Sequence, residues 1–406
     1  MRGARDAGAP PGERWRRALD PLALHVAETL VGRRGPGAAL SFGESLEGAR
    51  DILLVGARDL VDLLAIAPAA RALRRRFRLA RVHVIAAPRC AEVLASRPET
   101  FGTVPWPEGP ILSRGFLRTV RELRRHACDL AVATDAGEDR RGRLLAALSG
   151  AKLRAGVHPE AKDPALNLVV ATGASGGYRP AQSLEFLSFL GIPREDLAPG
   201  WEVPEVDRQY AARLLELRRR GREGWLLGVD PGRGLGGVRP SPEKLAWLVD
   251  RLAAVRGAVP IILTGDRSDA SVDDFKKYLK TPPLEVAQRG LRDAFSFLCC
   301  CDLFLAGNTE LLHFAVALRV PLLAFLPPDG PERWMPAETA WRRVLRWRPG
   351  ERVLEGDFLR TADAVRRAGA EVRRRDVRSG QETPPMFARP DSRAITIRPA
   401  EPTNLD

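Results

Sequence analysis

The sequence predicts an α/β protein of two domains, each a mostly parallel sheet wrapped by helices. Three observations predict it. From residue 50 onward, short apolar runs alternate with longer segments of helical period. The runs are apolar throughout instead of alternating with polar residues, as in strands covered on both faces. The 406 residues are too many for one ordinary core and suit two such domains with tails.

Residues 1–48 read as a basic N-terminal extension. Residues 1–19, rich in Arg, Gly and Pro, suggest a flexible arm, and Asp20–Val31 predicts a short amphipathic helix with Asp20 as N-cap and Pro21 at the first helical position. The first domain spans 49–200. Its strand runs are Ile52–Val55, Val82–Ala86 and Leu130–Ala133, and its helical segments include Leu63–Phe77 and Leu112–Ala127. Within the latter, Leu112, Phe116, Val120 and Leu123 form one stripe. Arg114, Arg118, Arg121 and Arg125 form the opposite one, which reads as a solvated face. A stretch of helices and connector over 180–224, punctuated by Pro193, Pro199 and Pro204, separates the two strand sets and puts the boundary near 200. The second domain, 201–378, carries the runs Leu226–Val229, Ile261–Thr264, Leu303–Ala306 and Leu322–Phe325, and a helix over Pro242–Val255. Residues 379–406 combine turn formers and charge with little periodicity, and a disordered tail is expected.

The formal net charge is +13, from 64 basic and 51 acidic residues. Such a chain is drawn to anionic partners, phosphorylated lipid or nucleotide among them. No helix-turn-helix, zinc or RNP-type motif accompanies the charge, so no specific nucleic-acid partner is expected. The five cysteines, Cys90, Cys128, Cys299, Cys300 and Cys301, show neither a disulfide framework nor metal-ligand spacing. They read as small hydrophobes in a reducing compartment, and no metal or cofactor is expected. There is no apolar run of about eighteen residues and no signal-peptide core. The expected location is the cytoplasm, with any membrane contact peripheral, at the inner face of the inner membrane.

Three stretches carry residues suited to chemistry. In ILLVGARDLVDLLAIAP a buried strand ends at Gly56, and Asp59 and Asp62 flank the start of a helix. A carboxylate there has the chemistry to take a proton from an attacking hydroxyl, and equally that of an ordinary helix cap. In LLGVDPGRGLGGVRPSPEK a strand runs into a loop with Gly232, Gly234, Gly236 and Gly237, followed by Ser241 as a candidate N-cap. Its backbone N–H groups and the cations Arg233 and Arg239 suit an anion, although a plain connector has the same composition. In CCCDLFLAGNTELLHFAVAL a strand meets a loop at Gly307, with Thr309 as candidate N-cap of a helix carrying His313. A helix N-terminus there suits a diphosphate, while a lone His on an apolar helix also serves structurally.

Taken in order, these stretches resemble the heptosyltransferase (glycosyltransferase 9) family over residues 50–350. Asp62, six residues before Pro68, falls at the family's Asp, with Val61 in place of its preceding Gly. Gly156 matches the Gly ending a strand–loop–helix, QSLEFLSFLGIP resembles the helix before the crossover, and Pro231 and Gly232 match a His-Pro-Gly in which Asp230 replaces the His. Pro331, Arg333, Trp334 and Pro336 are similar to a Pro-containing loop.

The resemblance implies a GT-B fold: two Rossmann-like domains facing across a cleft, with the acceptor on the first and the nucleotide-sugar donor on the second. It implies inverting, metal-independent transfer of heptose from an ADP-heptose-like donor to a lipopolysaccharide core, an anionic glycolipid acceptor, with Asp62 as general base. The donor residues it implies are Gly232, Arg233, Arg239, Asn308, Thr309, Glu310 and His313. Two departures stand out. Gly237 and Arg239 occupy the Lys and Trp positions of the family's Lys-x-Trp-Pro, and Asn308 and Glu310 occupy the Asp and Gly of its Asp-Thr-Gly-Pro-x-His. A carboxylate at Glu310 repels a diphosphate. A catalytically degenerate binding module in envelope assembly is therefore the alternative expectation.

Overall fold

The computed structural model describes residues 48–95, 102–111, 113–134, 140–158, 165–171, 178–232, 240–265, 270–327, 338–346 and 354–379. The expected helix Asp20–Val31, the tail from 380 onward, Arg233, Arg239, Gly237 and the Pro331–Pro336 loop lie outside these residues. The chain separates into two compact units, Met1–Pro199 and Gly200–Asp406.

The first unit runs β1 (Asp51–Ala57), α1 (Leu63–Arg76), β2 (Arg81–Ala86), α2 (Pro88–Leu94), β3 (Gly102–Pro105), α3 (Arg114–His126), β4 (Leu130–Ala133), α4 (Arg140–Leu148), β5 (Leu153–His158), β6 (Leu168–Ala171) and α5 (Arg179–Glu185). Its six strands pair in parallel in the order β3-β2-β1-β4-β5-β6. β1 is buried along its whole length, as its uninterrupted apolar run requires of a central strand. α1 is buried from Leu63 to Ala70 and contains Pro68; proline inside a helix removes one backbone donor. α3 starts on the Ser113 hydroxyl, which accepts from Phe116 N at 3.1 Å, and ends at Ala127 in the left-handed region, φ 47°. Phe116, Val120 and Leu123 face the core, and Arg114, Arg118, Arg121 and Arg125 are solvent-exposed, as their helical spacing predicts.

The second unit runs α6 (Glu205–Arg219), β7 (Trp225–Asp230), α7 (Pro242–Arg256), β8 (Ala258–Ile262), α8 (Ser271–Tyr278), α9 (Leu291–Cys299), β9 (Leu303–Ala306), α10 (Glu310–Ala317), β10 (Leu322–Leu326), β11 (Arg342–Arg346) and α11 (Glu355–Ser379). Its strands are also parallel, in the order β11-β10-β9-β7-β8. Ser241 caps α7 by accepting from Lys244 N at 3.2 Å, and Gly257 ends it at φ 67°.

The two units share one device. In each, an Asp follows a Cys just before the strand that lies beside the unit's first strand. Asp129 Oδ2 accepts from the backbone N–H groups of Arg50 and Asp51 at 2.9 and 3.2 Å. Asp302 Oδ2 accepts from Leu226 N at 2.8 Å. Each carboxylate thereby holds the starts of β1 and β4, or of β7 and β9, in step.

Several expectations are corrected. β8 covers Ala258–Ile262, so the run Ile261–Thr264 overshoots. Register with β7 pairs Trp225 with Ala258 and Val229 with Ile262, and Thr264 lies beyond the end of that pairing. β3, β5 and β11 are strands that the apolar-run criterion does not mark, because GTVP, LRAGVH and RRVLR interrupt the run with polar or turn-forming residues, and β6 (LVVA) is a further strand outside the expected runs. Of the adjacent cysteines only Cys301 is fully buried; Cys299 and Cys300 are half-buried. No described helix is long and apolar enough to cross a membrane.

At the amino edge of the first sheet, His83 Nε2 lies 3.3 Å from Asp51 Oδ1, and Arg81 bonds the other oxygen at 2.6 Å. Burial holds the His83 imidazole below its ordinary pKa, with the Asp51 contact opposing. Burial alone raises Asp51, but the bonds from Arg81 and His83 outweigh it and the carboxyl sits below its usual range. Both groups bind a proton less readily folded than unfolded. Their contribution to stability is thus present above the unfolded pKa values and is lost as pH falls through the folded ones. Urea midpoints should therefore fall on acidification. His83→Gln should flatten the part of that fall which begins below about pH 6.5.

Gly56 has φ +149°, and a Cβ on it would collide with the Thr134 hydroxyl. Gly56→Ala is expected to cost roughly 2 kcal/mol or more in urea unfolding.

Candidate functional site

In the first unit the chain leaves β1 for β2 on one side and leaves β4 for β5 on the other. The carboxyl ends of β1 and β4 therefore bound a topological switch point, where open parallel sheets bind ligands. The loop after β1 places Asp59 and Asp62 there. A 3-10 turn, Leu60–Asp62, leads into α1 and is closed by a capping box: Asp59 Oδ1 accepts from Asp62 N at 3.1 Å, and Asp62 Oδ2 accepts from Asp59 N at 3.0 Å. Arg58 N also donates to Asp62 Oδ2, at 2.9 Å. Asp62 is thus both a cap and a part-exposed carboxylate. It borders a small depression lined by Val61, Ala65, Thr134, Pro180 and Ser183. Thr134 follows β4 and donates its hydroxyl proton to Val55 O at 3.2 Å.

The second unit repeats the arrangement. The chain leaves β7 for β8 and leaves β9 for β10, in opposite directions, so β7 and β9 bound its switch point. Asp230, 3% exposed, ends β7 opposite Ala306 of β9. Its Oδ1 accepts from Gly232 N at 2.9 Å. Within the loop the Gly232 N–H is thus engaged by this carboxylate.

After β9, Asn308, Thr309, Glu310 and His313 are brought together. Thr309 is the N-cap of α10, its Oγ1 accepting from Leu312 N at 3.4 Å. His313 is completely buried, and its Nε2 lies 3.2 Å from Asn308 Oδ1. The ring therefore positions the loop through Asn308. α10 is anchored beneath by stacking of Phe314 on Phe295, centroids 4.0 Å apart, with Trp201 edge-on to both. The Glu310 carboxylate reaches over the end of β7 toward the loop after β8: its Oε2 is 3.3 Å from where a side chain would begin at Gly265. That loop is held by Gln288, which accepts from Thr264 N at 3.3 Å and donates to Ile262 O at 2.7 Å. Among the described residues no His, Cys, Asp and Glu cluster is arranged to hold a metal ion.

The sequence pattern missed Thr134, Ser183 and the Thr264–Gly265 loop. Thr134 carried a usable signal, a polar residue at the carboxyl end of an apolar run. Ser183 carried none, since only the packing of α5 on α1 brings it to the depression.

No family model matches the chain, and no curated protein matches it. Solved structures match in fold. The structure of a glycosyl transferase family 9 protein from Veillonella parvula superposes with a TM-score of 0.64, at 15% identity, over 79% of this chain and 98% of that one. The chain has a GT-B fold. An E. coli ADP-heptose lps heptosyltransferase II superposes with a TM-score of 0.61, at 20% identity, over 79% of this chain and 99% of that one. The E. coli heptosyltransferase WaaC with ADP-2-deoxy-2-fluoro heptose gives 0.53, at 14% identity, over the same shares. The GT-B fold rests on two Rossmann-like units, each with candidate residues at its own switch point.

Thr309→Ala should lower stability by about 1 kcal/mol, and Thr309→Ser should restore most of it, because only the capping oxygen is at stake. Chemical denaturation of the two variants measures both.

Proposed function

We propose that the chain is a metal-independent, inverting glycosyltransferase that uses a nucleotide-sugar donor of the ADP-heptose kind. Its acceptor is an anionic cell-envelope glycolipid such as a lipopolysaccharide core. One observation carries the reading: Asp62 stands at the switch point of the first Rossmann-like unit, its carboxylate aimed by the N–H groups of Arg58 and Asp59. A carboxylate so oriented serves as general base on an acceptor hydroxyl. In this reading the first unit holds the acceptor and the second the donor. Thr309 and the amino end of α10 face the donor diphosphate, and Asn308 is kept in place by His313. Arg233 and Arg239, in the loop that follows Gly232, supply cations to the leaving nucleotide.

Glu310 supports a second reading. Its carboxylate lies over the end of β7, where the resemblance expects a glycine. A negative charge at the amino end of α10 satisfies the helix dipole by itself and opposes a diphosphate. On this reading the chain is a binding module in envelope assembly that has lost transfer.

Calorimetry with a panel of nucleotide sugars separates the two. The transferase reading expects saturable binding of a donor, and Asp62→Asn should reduce kcat by about 10²–10⁴-fold with donor affinity unchanged. Undiminished turnover in that variant removes Asp62 from the mechanism. Silence across the whole donor panel favours the binding module.

A further inference from the structure

The amino edge of the first sheet, at the far end of α1 from Asp62, carries a surface that neither the core nor the crevice uses. There α1 ends, and Arg74, Arg75, Arg76 and Arg78 are all exposed next to the start of β2 at Arg81. Among them Leu79 stands 81% exposed in the turn joining α1 to β2. The Phe186–Asp196 segment packs against the same helix end. Arg76 Nε lies 3.4 Å from where a side chain would begin at Gly191, and Arg75 bonds Asp196 at 3.0 Å. Phe189, in that segment, is 61% exposed. Three carboxylates at this edge are already engaged: Asp196 by Arg75, Asp51 by Arg81, and Asp129 by backbone N–H groups. Two large exposed apolar side chains, Leu79 and Phe189, thus stand in segments that meet at a cluster of guanidinium groups.

We propose that this edge docks on an anionic lipid surface, with Leu79 and Phe189 entering the acyl boundary and the arginines meeting headgroup phosphates. Charge complementarity selects the occupant, because basic side chains near an anionic leaflet are each attracted to it. Insertion of apolar groups adds to that attraction, and stable attachment needs both contributions. A second copy of this chain would set like charges against one another. A nucleic acid would match the arginines but give Leu79 and Phe189 no apolar phase to enter. The geometry has a consequence for the reading of Asp62 as a base, on which only this consequence rests. The 14 residues of α1 span roughly 20 Å, so Asp62 would stand about that far above the lipid. That distance suits a glycolipid whose sugar head projects well out of the bilayer.

The test is co-sedimentation of the full chain with mixed phosphatidylglycerol–phosphatidylcholine vesicles and with pure phosphatidylcholine vesicles. Retention is expected on the mixed vesicles alone. The double variant L79E/F189E should lose about tenfold or more of that vesicle affinity, and the milder L79S/F189S should lose it in the same direction. L217E, at a 74% exposed leucine on α6, should leave it unchanged. Absence of wild-type retention, undiminished retention of both double variants, or an equal loss in L217E overturns the proposal. So does tight binding of a homopolymeric RNA that the same double variants abolish, which would reassign the surface to nucleic acid.

Discussion

Each unit's candidate site depends on one topological constraint. Crossovers between parallel strands are right-handed. When two neighbouring strands send their crossovers in opposite directions, the connecting helices fall on opposite faces of the sheet. The carboxyl ends of those two strands are then left uncovered by either connection. β1 and β4 make such a pair in the first unit, β7 and β9 in the second. The side chains suited to chemistry, Asp62 and Thr134 in one unit and Asp230, Asn308 and Thr309 in the other, follow directly on these strands or lie one short turn beyond them.

Backbone donors hold what stands at these openings. Asp62 accepts from two N–H groups, Asp230 from one, and Thr309 from one. Such bonds fix direction at little cost, because the donors are the ones a helix start or a tight loop leaves without an intrahelical partner. The same economy appears at the opposite edges of the sheets, where Asp129 and Asp302 hold neighbouring strands together by accepting backbone N–H groups. These carboxylates orient backbone, and arginines stand on solvated faces such as the outer stripe of α3 and the end of α1.

Glu310 differs from these carboxylates. It occupies the first turn of α10, where it complements the helix dipole, and its Oε2 reaches to within 3.3 Å of where a side chain would begin at Gly265. The family pattern the chain resembles places glycine at this position, where this sequence has a carboxylate.

The sequence by itself determined the fold class, most of the buried strands and several caps. Apolar runs mark strands covered on both faces, and Asp59, Ser241 and Thr309 have the short oxygen side chains that helix starts require. Those are local properties, readable within a few residues. It also marked the loops after β1, β7 and β9 as places for chemistry. It did not give strand order, because β4 beside β1 and β9 beside β7 are contacts between residues some 76–79 positions apart. Only the tertiary structure therefore made those loops into two openings, brought Thr134 and Ser183 to Asp62, and spent the Gly232 N–H on Asp230. It alone buried His313 against Asn308 and carried Glu310 across to Gly265. Composition set the excess of positive charge, but the folding of α1 against the Phe186–Asp196 segment decided that Leu79 and Phe189 share one edge with it.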